Sequence, residues 1–163
     1  MTDKIISQEY LQTIFDYKEG EFYYKKKYAR NIKIGKKVGS SLGGLYKRTK
    51  FNGSKHYLHR LIFLYHYGYL TEEIDHIDGN SLNNKIENLR ATNRFGNAKN
   101  RKLAKNNSSG TKNVFLDHGK WRVGIKYNNK TLYFGSYENI ELAELVAIEA
   151  RNKYHKEFAN HGL

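Results

Sequence analysis

Leu11, Ile14 and Phe15 recur on one side of a helical turn, so Ser7 to Phe15 predicts a short helix. The next pattern is different. "EFYYKK" reads as a strand, and "LYKRTKFNGSKHYLH" reads as two strands folded about Asn52-Gly53, a strong hairpin signal. From His59 to Tyr67, Leu61, Ile62 and Tyr65 return at helical spacing. Then the periodicity fails. "EIDHIDGNSLNNKIENLR", Glu73 to Arg90, holds acidic residues, one histidine and four asparagines, with few good core residues. Asparagine fills helices and strands poorly and serves turns, caps and oxygen coordination well.

After Arg94 the character changes again. "NAKNRKLAKNNSSGT" is polar, basic and poor in apolar residues, so it reads as a linker or a helix end running into one. "KNVFLD", "KWRVGIKY" and "KTLYFGSY" follow as three short alternating strands, with turns at Asp117-His118-Gly119 and Asn128-Asn129-Lys130. "ENIELAELVAIEARNKYHKEF" predicts an amphipathic helix with Leu142, Val146, Ala150 and Tyr154 on one stripe. On the middle strand Trp121, Val123 and Ile125 share the side expected to pack on that helix, and Arg122, Gly124 and Lys126 share the other. There is no internal repeat.

Composition narrows the partner. The chain has 163 residues, of which 39% are hydrophobic, and its mean hydropathy is −0.81, so any core is thin and its 14 tyrosines must help build it. The net charge of +13 attracts polyanions, nucleic acid first. Acidic residues vanish between Phe22 and Thr71, a window that contains Lys47, Arg48 and Arg60 among many other cations. Such a block is either a solvated face or a phosphate-tracking surface, and its strand-like pieces favour the latter. No apolar run is long enough to span a bilayer, which predicts no membrane partner. The start, "MTDKIISQEY", lacks a signal peptide's apolar region. The absence of cysteine excludes disulfides and thiolate zinc sites, and a cytoplasmic home is expected.

Asp75-His76 alone is most simply read as part of a turn. The wider pattern carries more: "LHRLIF", then "EIDHIDGNSLNNKIENLRATNRFGNAKN", with Asn97 standing 22 residues after Asp75. From about His59 to Asn100 this resembles the HNH endonuclease family with its ββα-metal fold, and its phage homing-type members in particular. The resemblance implies a general base at His76, metal ligands at Asp75 and Asn97, and a bracing role for Asn88. It implies one Mg²⁺ or Mn²⁺ per site, because a hard cation prefers oxygen ligands and keeps waters. An imidazole with a pKa of about 6.5 is mostly neutral at pH 7 and can take a proton from water. His59 either packs under the site or touches phosphate with Arg60. The family often has threonine four residues before the metal-side asparagine; here Asn93 stands there and Thr92 is one further away, which makes Asn93 a rival ligand and Asn100 a neighbour. A structural zinc on His56, His59, His66 and His76 is the competing reading, poorly matched to zinc-ligand spacing.

The stretch from about Ser108 to Asn160 resembles the DNA-binding domain of plant ethylene response factors (APETALA-type), a three-stranded sheet backed by a helix. That resemblance implies a sheet laid in the major groove, with Lys112, Arg122, Lys126, Thr131 and Tyr133 on the outer face. Phe115 stands at one of the family's arginine places and Gly124 at its glutamate place, so base preference must differ. Trp121 reads as core.

The expected class is therefore α+β. Residues 1–50 are expected to form a basic, strand-rich region that contacts DNA, 51–100 the nuclease unit, 101–110 a linker and 111–163 the sheet-and-helix domain. The expected function is hydrolysis of phosphodiester bonds in double-stranded DNA at a preferred site, by a monomer or weak dimer in the cytoplasm (the host's, if phage-encoded). Lys47, Arg48, Arg60, Lys112, Arg122, Lys126 and Tyr133 are the expected DNA contacts. The second reading is a regulator that binds DNA with a degenerate, non-cutting nuclease unit; an RNA-directed nuclease is a third.

Overall fold

The computed structural model describes residues 6–41, 44–93, 96, 99–100, 103–104 and 106–161. The chain is mixed α and β and divides into two compact units, 1–93 and 94–163.

The first unit opens with helix α1, Gln8–Ile14, capped by Ser7, whose side-chain oxygen accepts from the Tyr10 amide at 3.2 Å. The helix runs straight into strand β1, Phe15–Lys18, which pairs antiparallel with β2, Glu21–Tyr24. Strands β3, Arg48–Phe51, and β4, Ser54–Tyr57, make a second hairpin. Its turn puts Asn52 at φ 50° and Gly53 at φ 80°, the left-handed pair that Asn-Gly adopts readily. Helix α2, Leu58–Tyr67, follows at once and ends on Gly68 at φ 75°. Gln8 closes this end of α2, its amide nitrogen donating to the carbonyls of Tyr65 (3.0 Å) and His66 (3.1 Å) that the helix itself leaves without partners. A third hairpin pairs β5, Glu73–His76, with β6, Leu89–Thr92.

One core joins these pieces. Phe15, Phe22 and Val38 are buried together with Phe51, Leu58, Leu61, Ile62 and Phe63, and with Ile74 and Leu89 from the third hairpin. Phe15 is central, its ring 4.9 Å from that of Phe22 and 5.1 Å from that of Phe51. A buried phenylalanine of this kind contributes about 3 to 5 kcal/mol when measured by truncation. Described residues among the N-terminal 50 thus share one core with the segment that follows them.

The second unit is a sheet of β7, Val114–Asp117, β8, Lys120–Tyr127, and β9, Lys130–Tyr137, antiparallel in that order. Both turns use left-handed residues, His118 and Gly119 in one, Asn128 and Asn129 in the other. Helix α3, Ile140–His155, is capped by Asn139, which accepts from the amides of Glu141 and Leu142. The stripe it buries is not the one expected from its large apolar residues. Ala143, Ala147, Ala150, Arg151 and His155 face inward, while Leu142 is 50% and Leu145 61% exposed. The reason is volume. Trp121, Phe134, Tyr137 and Val146 crowd around Val114 and Val123, and small residues let the helix approach them. Of the expected stripe, Ala150 is buried, Val146 packs against this cluster, and Tyr154 lies edge-on to Tyr127 at 5.3 Å.

Candidate functional site

Polar residues meet at the end of β5. The loop from Ile77 to Asn88 has few apolar anchors and is held by its own side chains. The Asn88 amide nitrogen donates to Asp78 Oδ1 (2.9 Å) and to the Asn83 carbonyl (2.8 Å), while its oxygen accepts from the Asp78 amide (3.0 Å). The Asp78 carboxylate also accepts from the Asn80 amide (2.7 Å) and Asn83 Nδ2 (2.8 Å). Partial burial works against its charge, but these hydrogen bonds and nearby His76 outweigh it and hold Asp78 below the ordinary carboxyl range. This is why the stretch is rich in asparagine: an amide satisfies a donor and an acceptor of the loop at once.

The first hairpin presses on the same loop. Gly20, at φ 79° in the β1–β2 turn, lies so close that an added Cβ would stand 2.7 Å from the Lys85 nitrogen and 2.8 Å from the Asn84 carbonyl carbon. Beside it the Tyr17 hydroxyl accepts from the Ile86 amide at 2.9 Å, and Lys85 pairs with Glu19.

Asn84 is 2% exposed and His76 5%, and they are bonded to each other, His76 Nε2 to Asn84 Oδ1 at 2.9 Å. An amide oxygen only accepts, so Nε2 carries the proton and Nδ1 the basic lone pair. The His76 ring packs at 70° and 5.1 Å on His59, and both lie near Tyr46, at 6.0 and 5.4 Å. Tyr46 is positioned by a hydrogen bond from the Ser81 hydroxyl to the Leu45 carbonyl. Burial, then His76, then Arg60 lower the pKa of His59 to about 3, so His59 is a neutral packing partner.

Asp75 sits one residue back on β5, directly across from Arg90 on β6. Its Oδ2 accepts from Arg90 Nε at 3.1 Å and Nη2 at 2.8 Å. A buried carboxylate needs a compensating cation, and Arg90 supplies one. The same requirement suits a hard divalent ion, which takes carboxylate oxygen and retains water.

Of the expected site residues, one hairpin and its loop thus hold Asp75, His76 and Asn88. Asn97 lies outside the described residues. Asn93 is exposed just after β6, and Asn100 is buried in the second unit, where it accepts from Asn160 Nδ2 at 3.2 Å. Of the four histidines weighed as a zinc set, His59 and His76 have rings in contact, whereas His66 lies in the last turn of α2 with its ring edge-on to Tyr17. Asn84 and Arg90 are the residues the pattern did not single out. Arg90 stands in the quoted "NLR", and counting the register across the hairpin pairs it with Asp75; nothing local distinguishes Asn84 from the other loop asparagines.

The expected DNA contacts are differently engaged. Arg60 donates to the carbonyls of Thr71 (3.1 Å) and Glu72 (3.3 Å), bracing the chain between α2 and β5. Lys47 pairs with Glu21, and Arg48 lies 4.7 Å over the Tyr57 ring. Arg122 bonds Asp117 at 2.8 Å and stacks on Tyr133, while Lys126 and Tyr133 are exposed. Lys112 departs from the outer face expected for it. It precedes β7, is half-buried, and donates to the Lys99 carbonyl at 3.1 Å. Burial, then Arg151, lower its pKa to about 8.

Among the described residues, no helix is long and apolar enough to cross a membrane. Residues 56–99 match the family model described as HNH endonuclease. Protein 3.8 of Escherichia phage T7 is 34% identical over 88 residues, which cover 53% of this chain and 72% of that relative. No solved structure matches the chain.

Proposed function

The chain belongs to the HNH endonuclease family, and from that premise we propose that it is a metal-dependent DNA endonuclease of homing type, cutting phosphodiester bonds at a preferred site. The observation that carries the reading is the buried bond from His76 Nε2 to Asn84 Oδ1. It supports the tautomer in which Nδ1 is the base. His76 Nδ1 takes a proton from water as the water oxygen bonds to phosphorus and the bond from phosphorus to the leaving sugar oxygen breaks. Asn84 acts through His76 as a positioning residue, and Asn88 keeps the loop closed beneath it.

Asp75 and Asn97 are the proposed holders of one Mg²⁺ or Mn²⁺. When bound, that ion supplies Lewis acidity at the phosphate and the leaving oxygen. Arg90 orients the Asp75 carboxylate. The second unit, a sheet backed by a helix, adds affinity and site choice in the manner of the ethylene-response-factor domain, with Arg122, Lys126 and Tyr133 on its DNA face. One site cuts one strand, so a monomer nicks. One observation favours a second reading, a DNA-binding regulator that does not cut: Arg90 already neutralises the carboxylate proposed as a metal ligand.

Relaxation of supercoiled plasmid separates the two. The expected result is nicking with Mg²⁺ or Mn²⁺, none with chelator, and none by the His76→Ala or Asp75→Ala variants. Plasmid left supercoiled with either metal, in the presence of demonstrable DNA binding, selects the regulator.

A further inference from the structure

The outer face of the second unit has an apolar centre. Gly124 on β8 pairs across the sheet with Tyr133, and Phe115 is the cross-strand partner of Arg122 next to it. Gly124 lies in the middle of a strand, and what requires it is space. A Cβ added there would meet Phe115 Cε1 at 3.2 Å, Thr131 Cγ2 at 3.4 Å and Tyr133 Cδ1 at 3.4 Å. Two rings and a methyl group therefore converge over bare backbone. Phe115 is nonetheless 39% exposed and Tyr133 54%. Beside this centre Lys126, the cross-strand partner of Thr131, is exposed.

Arg122 is the guanidinium on this face, and it is already committed. Its Nη1 donates to Asp117 Oδ2 at 2.8 Å, and its Cζ lies over the Tyr133 ring, 4.0 Å from the centroid. Guanine is read by a free fork that delivers two hydrogen bonds to O6 and N7. Asp117 takes one of the guanidinium's five N–H donors and Tyr133 lies under it, so the fork is shared with its neighbours while the two rings stand open. Thymine's C5 methyl group is the apolar feature of the major groove, and it is read by contact with apolar side chains.

We infer that this face reads thymine methyl groups through Phe115 and Tyr133, so that the protein prefers thymine-bearing sites over guanine-led ones. The inference rests on the proposed entry of this sheet into the major groove. Thr131 and the bare backbone at Gly124 shape the receiving surface, and Lys126 holds phosphate on its rim.

The test uses the full chain with chelator present, so that binding is read without cutting. Duplexes bound from a random pool are sequenced, and the leading site is remade with deoxyuridine in place of thymidine, which removes only the methyl. The expected result is a thymine-bearing consensus in which each contacted thymine loses about four-fold in affinity on conversion to uracil, the effect of one methyl-sized group. Phe115→Ala should lose the discrimination at the thymine that Phe115 contacts, and Phe115→Ala with Tyr133→Ala should bind the thymine and uracil duplexes alike. Phe115→Leu, which keeps an apolar side chain on the strand, should retain part of the discrimination and guards against misfolding of the alanine variant. Equal wild-type affinity for the two duplexes, or a consensus led by guanine, overturns the inference. The underlying reading fails separately. If Arg122→Ala with Lys126→Ala leaves both affinity and its salt dependence unchanged, this face does not meet DNA at all.

Discussion

In the first unit, Asp75, His76, Asn84 and Asn88 are polar side chains withdrawn from water at the end of one hairpin. In the second unit, Phe115 and Tyr133 are aromatic side chains left in water on the open face of a sheet. Each breaks the usual partition of residue types, in opposite directions. The buried polar groups answer their desolvation internally: His76 by Asn84, Asp75 by Arg90, Asn88 by Asp78. Of the exposed rings, Tyr133 is faced by Arg122 at 4.0 Å, and much of both is left to solvent. On the proposed reading the two surfaces differ in kind: the first is pre-built, as proton transfer would require, and the second stands open to a ligand.

The comparison breaks most sharply at His76. His76→Ala should lower the single-turnover cutting rate by about 10² to 10⁴-fold, the usual share of a general base, while duplex affinity stays within a few-fold. Cutting near the wild-type rate removes the assignment. Asn84→Leu should slow cutting by about 10 to 100-fold, as loss of an orienting partner does. A purely structural role would show in melting and not in the pH profile. Asn84→Asp should move the acid limb of that profile to higher pH, because a carboxylate facing Nε2 favours the protonated ring.

On the second unit the expected effects are in stability. Ala147→Leu should overpack the interface between α3 and the sheet and cost about 1 to 3 kcal/mol. Leu142→Ala, at the position that hydropathy alone would place inside, should cost less than about 0.5 kcal/mol. Denaturant melts of the full chain decide between these two registers, and a larger loss at Leu142 reverses the assignment. Between these lies a pH effect in the first unit. His59 in the folded state has a pKa of about 3, below the unfolded value of 6.5. The unfolded chain therefore takes up the proton first, and stability present above pH 6.5 is lost as pH falls toward 3. The loss should be a little under about 1 kcal/mol at pH 6 and grow below it. His59→Phe should remove this part of the acid limb; an acid limb of unchanged slope would mean that His59 titrates normally.

Much of this architecture was legible where turn chemistry marks the chain. The hairpin at Asn52-Gly53 and both turns of the C-terminal sheet use residues that adopt positive φ easily, and the strands between them alternate. Helix α2 was legible from Leu61, Ile62 and Tyr65. Strand β1 was not, because α1 passes into it at Phe15 with no glycine, proline or polar cluster between them. The stripe of α3 was misread because large apolar residues dominate a periodicity argument, while close packing on Trp121 and Tyr137 calls for alanine. Asp75-His76 was readable as adjacent letters. Asn84 and Arg90 depend on the path of a long loop and on register across a hairpin, and neither leaves a local mark. The covered fork of Arg122 depends likewise on where Asp117 and Tyr133 come to rest.

The close seat of Gly20 against Asn84 and Lys85 has a consequence for portability. The segment 56–99 carries the family's recognisable letters, yet the shim that sets the height of Asn84 belongs to a turn outside it. Grafted alone into another scaffold, that segment would bring its histidine without the support that aims it. A transplantable piece therefore reaches back past the turn at Gly20 and forward to the end of the matched segment at residue 99, and a truncation that removes the turn at Gly20 loosens the seat of Asn84.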